Sequence, residues 1–223
     1  MLLKEIEKSL PKNIFEILSK DINELRPSQE KAINQGLFNN KNLLICTPTA
    51  SGKTLIAELA FTKAIIEKKA KAIYIVPLIA LANEKFHEFK KRYNDLFKIA
   101  ISIGDFDSSD PYLIDYDLII CTSEKLDSLI RHQAQWLRFV NLVVIDEIHL
   151  LNDIERGPTL EIIITLLKQM INDVQIIGLS ATIGNPKELA NWLDAELVED
   201  SWRPVPLHKG IYYNKEIEFE ELN

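Results

Sequence analysis

The stretch Thr47-Pro48-Thr49-Ala50-Ser51-Gly52-Lys53-Thr54 sets a glycine, a lysine and a hydroxyl in direct succession, after an apolar run and before a segment of helical period. That order suits phosphate chemistry. Successive backbone N–H groups at a helix N-terminus cradle anionic oxygens. Lys53 would reach the β- and γ-phosphates, and the Thr54 hydroxyl would ligate magnesium. The general pattern has glycine where this chain has Thr47, so the loop is degenerate, and a plain helix-capping turn is the alternative. A second group bears on the choice. Leu142-Val143-Val144-Ile145 delivers Asp146 and Glu147 at a strand's end, and unpaired buried carboxylates are costly. Magnesium would give them a partner: Asp146 holds the metal through water, while Glu147 orients and deprotonates the attacking water. Taken alone, such a pair also suits the N-terminus of a helix. With the phosphate loop upstream, the catalytic reading is preferred.

Groups so far apart in sequence need a sheet to bring them together. Apolar runs of strand length lie at 42–46, 72–76, 99–103, 117–121, 142–146 and 174–179. Amphipathic stretches at 54–68, 79–93 and 159–171 alternate with them. Alternation of this kind predicts an α/β domain, doubly wound, with a mostly parallel sheet and helices on both faces. In such sheets ligands sit at the carboxyl ends of the strands, where the phosphate loop and the acidic pair both fall. Residues 1–38 read as helical, broken near Pro11 and at Arg26-Pro27. After Asp200 an extended connector, Trp202-Arg203-Pro204-Val205-Pro206, leads to two short strands around Asn214.

Composition narrows the class. The chain has 223 residues, 47% hydrophobic and 26% charged, with a net charge of -7. That is a globular domain of ordinary kind. Cys46 and Cys121 both lie in apolar runs and read as buried thiols of a reducing compartment. Charge enters too early for a secretory signal, and no apolar run approaches the roughly 20 residues of a membrane span. A cytoplasmic monomer is expected. The acidic balance runs against nucleic-acid binding by phosphate neutralisation, so any such contact should use main chain and hydroxyls.

The run Asp146-Glu147-Ile148-His149 resembles the DExH box of superfamily 2 helicases, and further segments resemble that family's motifs in order. Pro27-Ser28-Gln29 resembles the Q-motif. Pro48 to Thr54, with alanine at 50, looks like the loop of archaeal Hjm-type DNA helicases of the Ski-like group, relatives of the polymerase-theta helicase domain. Val76-Pro77-Leu78-Ile79 resembles motif Ia, and Gly104-Asp105-Phe106-Asp107 a neighbouring loop. Thr122-Ser123-Glu124 resembles motif Ib, and Ser180-Ala181-Thr182 motif III. Glu155-Arg156-Gly157-Pro158 and Trp202 to Leu207 also look like this group.

The resemblance implies a RecA-like P-loop NTPase domain that uses ATP and Mg2+, the first of two motor domains. Residues 1–200 would form it, and 201–223 would be the connector and the start of the next element. The motor would move 3′ to 5′ on single-stranded DNA and act on forked or branched DNA in repair and replication restart. The resemblance gives Gln29 the adenine edge and adds His149 to the catalytic set of Lys53, Asp146 and Glu147. Pro77, Leu78, Gly104, Thr122, Ser123, Arg156, Ser180, Ala181 and Thr182 would contact nucleic acid or couple it to the nucleotide. The arginines that complete the ATPase site belong to a second RecA-like domain; Arg203 lies in the connector. Two alternatives stand: an RNA helicase of the same group, and a P-loop module that holds nucleotide without translocating. The Ia and Ib segments also read as strand-to-helix junctions, with Thr122 and Ser123 as caps. The lysines at 68, 69 and 71 read as a solvated helix end.

Overall fold

The computed structural model describes residues 1–223 except 105–107, 182, 206–209, 214 and 220–223. Aliphatic residues with branched or long side chains fill a sheet buried on both faces, as parallel strands require. The strands are β1 (Leu43–Cys46), β2 (Lys71–Val76), β3 (Ile99–Ser102), β4 (Leu118–Thr122), β5 (Val140–Ile145), β6 (Gln175–Ser180) and β7 (Glu196–Glu199). All pair in parallel, in the order β3-β4-β2-β5-β6-β1-β7. Six were expected within a residue or two at most ends. β7 was not, and it extends the sheet beyond β1.

Helices cover both faces. On one lie α1 (Lys12–Leu18), α2 (Pro27–Asn34), α3 (Lys53–Lys68) and α4 (Ile79–Tyr93); on the other, α5 (Ser123–Arg131), α6 (Gly157–Met170) and α7 (Pro186–Leu193). Alternation along β1 divides the core: Leu43 and Ile45 join the first layer, Leu44 and Cys46 the second. Past the connector, β8 (Gly210–Tyr213) and β9 (Glu216–Phe219) form a separate antiparallel pair. No helix among the described residues is long and apolar enough to cross a membrane.

The core holds charge that the hydrophobic pattern concealed. Glu58 on α3 is buried and accepts from Arg92 Nη1 (2.6 Å) and Tyr93 Oη (2.5 Å) on α4. Burial raises the Glu58 pKa, and Arg92 and the Tyr93 hydroxyl oppose the shift. The ion pair ties α3, which starts at the phosphate loop, to α4, which starts at Pro77-Leu78. Of the lysines at 68, 69 and 71, the last differs from expectation. Lys71 is buried, its ammonium donating to the carbonyls of Leu113, Ile114 and Tyr116, and Lys68 is held by Asn40 and Asn141. Lys71 is therefore not a solvated charge, whereas Lys68 and Lys69 are exposed at the end of α3, as expected of a solvated helix end. Cys46 and Cys121 are free and buried. Burial pushes their pKa values up to about 11 and about 12, which keeps both as thiols at neutral pH.

Candidate functional site

The strand order explains how distant segments meet. β1 lies two strands from β5, with β6 between them. At ~4.8 Å per strand, the loops after β1 and β5 open roughly 10 Å apart, across the end of β6. Those loops are 47–52 and Asp146-Glu147.

The phosphate loop is braced by side chains. The hydroxyls of Thr47 and Ser51, both buried, lie 2.7 Å apart. The Thr47 N–H donates to the Ser180 carbonyl (3.2 Å), which fastens the loop to the end of β6. Gln29 is buried on α2. Its Oε1 accepts from Arg26 N (2.8 Å) and its Nε2 donates to Gly52 O (3.0 Å). Arg26 Nη1 donates to Ala50 O (2.6 Å). Ala50 has φ 65, a left-handed conformation that costs a residue with a Cβ about 1–2 kcal/mol; its carbonyl contact to Arg26 helps hold it there. Gly52 has φ 90, and a Cβ there would lie 2.5 Å from Gln29 Nε2, so only glycine fits beneath the amide. Pro48 and Thr49 complete the turn.

Lys53 opens α3 and is half-buried, its Nζ donating to Thr47 O (2.8 Å) and Pro48 O (3.4 Å). Burial lowers its pKa. Glu147 and then Asp146 push it back up, and Arg203 lowers it further. The loop lysine and the two acids therefore share one electrostatic site. The sequence places Arg203 only in the connector. That connector folds back: Lys31 pairs with Asp200 (2.8 Å), and the Arg26 guanidinium lies 5.5 Å from the Trp202 ring centre.

Asp146 follows β5, its N–H donating to Ile75 O (2.9 Å). Its Oδ2 accepts from Tyr74 Oη (2.9 Å) and its Oδ1 from Glu147 N (3.0 Å). Glu147 has φ 52, a sharp turn at the end of the strand. His149 Nδ1 lies 3.3 Å from Glu147 Oε2. The sequence reading missed Tyr74, Arg26 and Trp202. Only the alternation along β2, which puts Tyr74 on the same face as Ala72 and Val76, hinted at the first.

A narrow groove joins this site to the helicase-like segments. Asp146, Glu147, Pro77, Ser123, Leu150 and Arg156 all line it. Leu78 beside it is exposed. Thr122 is buried and accepts from Lys125 N (3.4 Å) as the cap of α5, and the neighbouring Ser123 is buried too. Gly104 is exposed at the end of β3, outside the groove. Ser180 is fully buried between the loop and the acids, and Ala181 is half-buried. Thr182, the last residue of the motif III segment, lies outside the described residues.

The donor set fits magnesium held with a phosphate. Mg2+ takes hard oxygen ligands, commonly one or two carboxylates with substrate phosphates completing the shell. Asp146 and the Thr54 hydroxyl at the start of α3 have that character. Among the described residues no cluster of three or more His, Cys, Asp or Glu side chains is arranged to hold a metal unaided.

A wholly parallel sheet carrying a Gly-Lys-Thr turn after one strand and an acidic pair after another defines a RecA-like P-loop domain. The chain belongs to the DEAD/DEAH box helicase family, whose profile matches residues 26–189. It is 51% identical over 220 residues to a protein of Pyrococcus abyssi named ATP-dependent DNA helicase Hel308, and 58% identical over 215 residues to one of that name from Methanocaldococcus jannaschii. These alignments cover 98% and 92% of this chain but only 30% and 18% of those proteins. Among solved structures, the DUF1998 helicase MrfA bound to DNA matches with a TM-score of 0.76 at 28% identity, covering 87% of this chain and 30% of that one.

Proposed function

We propose that this chain is the first motor domain of an ATP-dependent DNA helicase, with residues 201–223 leading toward a second RecA-like domain. The observation that carries this reading is that the phosphate loop and the Asp146-Glu147 pair follow β1 and β5, two strands apart at the carboxyl edge of one parallel sheet. Magnesium, when bound with ATP, neutralises charge on the β- and γ-phosphates. Lys53 holds those phosphates together with the N–H groups at the start of α3, and Thr54 and Asp146 hold the metal. Gln29 sits against Gly52, where the loop meets the adenine side. Glu147 accepts the proton of the attacking water, with His149 beside it. Pro77, Ser123 and Arg156 share the groove with the acids, with Leu78 exposed beside it, and so connect hydrolysis to a strand lying over the carboxyl edge of the sheet. Gly104, Thr122, Ser180, Ala181 and Thr182 belong to the same edge by sequence. By family resemblance the strand is single-stranded or forked DNA, travelled 3′ to 5′ in repair and replication restart by a cytoplasmic monomer.

Two measurements test the reading. Titrating the chain with a fluorescent ADP analogue and magnesium should show saturable binding. Lys53→Ala should weaken it by roughly 1.5–3 kcal/mol, the usual size of a charge-assisted phosphate contact. Equal affinity in the variant would remove Lys53 from the site. The net charge of -7 makes DNA binding weak and steeply salt-dependent. Single-stranded DNA should shift backbone amides near Pro77, Gly104 and Thr122. Shifts confined to residues 68–71, at the opposite end of the sheet, would refute the strand path.

A further inference from the structure

Tyr74 stands in the middle of β2, paired with Val144 on one side and Ile120 on the other, and no part of it is exposed. A tyrosine there needs an explanation. Phenylalanine would fill the same volume, whereas a buried hydroxyl is tolerated only when it finds a partner. Its partner here is the carboxylate of Asp146, which accepts from Tyr74 Oη at 2.9 Å. The other oxygen of Asp146 accepts from Glu147 N at 3.0 Å. A carboxylate offers about four lone-pair sites. One on each oxygen is occupied, which fixes the torsion of the side chain and leaves one on each directed outward. Phe89 packs edge-on against the Tyr74 ring, with centroids 5.3 Å apart, while the hydrogen bond to Asp146 sets where the hydroxyl points.

We propose that Tyr74 is a positioning residue for the magnesium site, holding Asp146 in the one orientation that presents its free lone pairs to the metal's water shell. The inference rests on the reading that Asp146 holds the metal. Tyr74 does not touch nucleotide or metal; it acts through Asp146.

The test compares Tyr74→Phe, Asp146→Asn, their double variant and Phe89→Leu with the parent chain. Each is first checked for thermal unfolding and for binding of the fluorescent ADP analogue without metal. Mn2+ is then titrated in the presence of ADP, and free Mn2+ is read by electron paramagnetic resonance. Tyr74→Phe should keep the metal-free ADP affinity and lose about tenfold in Mn2+ affinity, the low end of what removing a partner of a metal-ligating group costs. The double variant should be no worse than Asp146→Asn alone, because both changes act on one contact. Phe89→Leu, which loosens packing but keeps the hydroxyl, should bind Mn2+ within about twofold of the parent, since the hydrogen bond is what fixes Asp146. If Asp146→Asn loses Mn2+ and Tyr74→Phe does not, the Tyr74 proposal fails and the metal assignment stands. If Phe89→Leu loses as much as Tyr74→Phe, the effect is packing and the proposal also fails. If Asp146→Asn binds Mn2+ like the parent, the metal assignment itself fails and takes this inference with it.

Discussion

Glu147→Gln should leave nucleotide binding nearly unchanged while lowering ATP turnover by about 10²–10⁴-fold, the contribution of a positioned general base. Glutamine keeps the shape and the backbone turn but cannot take a proton. The turn is set by the main chain, since Glu147 sits at φ 52 with its N–H donating to Asp146 Oδ1; neither feature uses the side-chain carboxylate. On the proposed reading the phosphates are held elsewhere, by Lys53 and the loop amides. A second consequence has a definite sign. The Glu147 charge is the largest influence raising the Lys53 pKa against burial. Removing that charge lowers the folded-state pKa of Lys53 further, so nucleotide binding in the variant should be lost at lower pH on the alkaline side than in the parent. The measurements are steady-state phosphate release in the DNA-stimulated protein and titration with the ADP analogue across pH. Turnover that persists, or that falls only in step with binding, would take the base role from Glu147.

How much of this site was readable before folding depends on whether the signal is local. Lys53, Thr54 and the acidic pair stand out because the proposed phosphate and metal chemistry needs rare residue types in a short window. Both windows also end apolar runs, which fixes their place on a parallel sheet. Groups that act across the fold leave no such mark. Glu58 and Arg92 look like ordinary polar positions on two helices, and only the packing of α3 on α4 reveals the ion pair. Tyr74 reads as one more aromatic in a buried strand, because periodicity reports which face a residue takes and not where its hydroxyl points. β7 escaped because it is a four-residue edge strand whose two ends are exposed glutamates and whose only fully buried residue is Val198; acids are poor strand formers, and one buried valine is not a pattern. Thr122 and Ser123 went the other way. Sequence resemblance put them toward nucleic acid, while their burial and the Thr122 cap of α5 show a structural duty as well.

The 223-residue chain on its own should release phosphate about 10³–10⁵-fold more slowly than a polypeptide that continues through a second motor domain, the contribution of an arginine finger supplied across a cleft. The transition state gains negative charge on the γ-phosphate oxygens, and a single domain can neutralise it from one side only. Lys53, Thr54 and Asp146 all lie on that side, at the carboxyl edge of one sheet. The cation nearest to an exception is Arg203, whose charge lowers the Lys53 pKa. The influence is felt at Lys53, the cation of the loop itself. The anchor of Arg203 is indirect: Trp202 rests against Arg26 and Asp200 against Lys31, through contacts that an exposed connector can exchange. An arginine so held adds to the field over the phosphates without closing on them from the far side. Unwinding has the further requirement of two domains that open and close on the strand. Phosphate release should therefore be compared for the chain, the longer polypeptide and the Arg203→Ala variant of each, with and without single-stranded DNA. A jump of several orders of magnitude on adding the second domain, little altered by Arg203→Ala, supports a site completed from outside. Comparable turnover in chain and longer polypeptide, abolished by Arg203→Ala, would show instead that the connector supplies the finger from within.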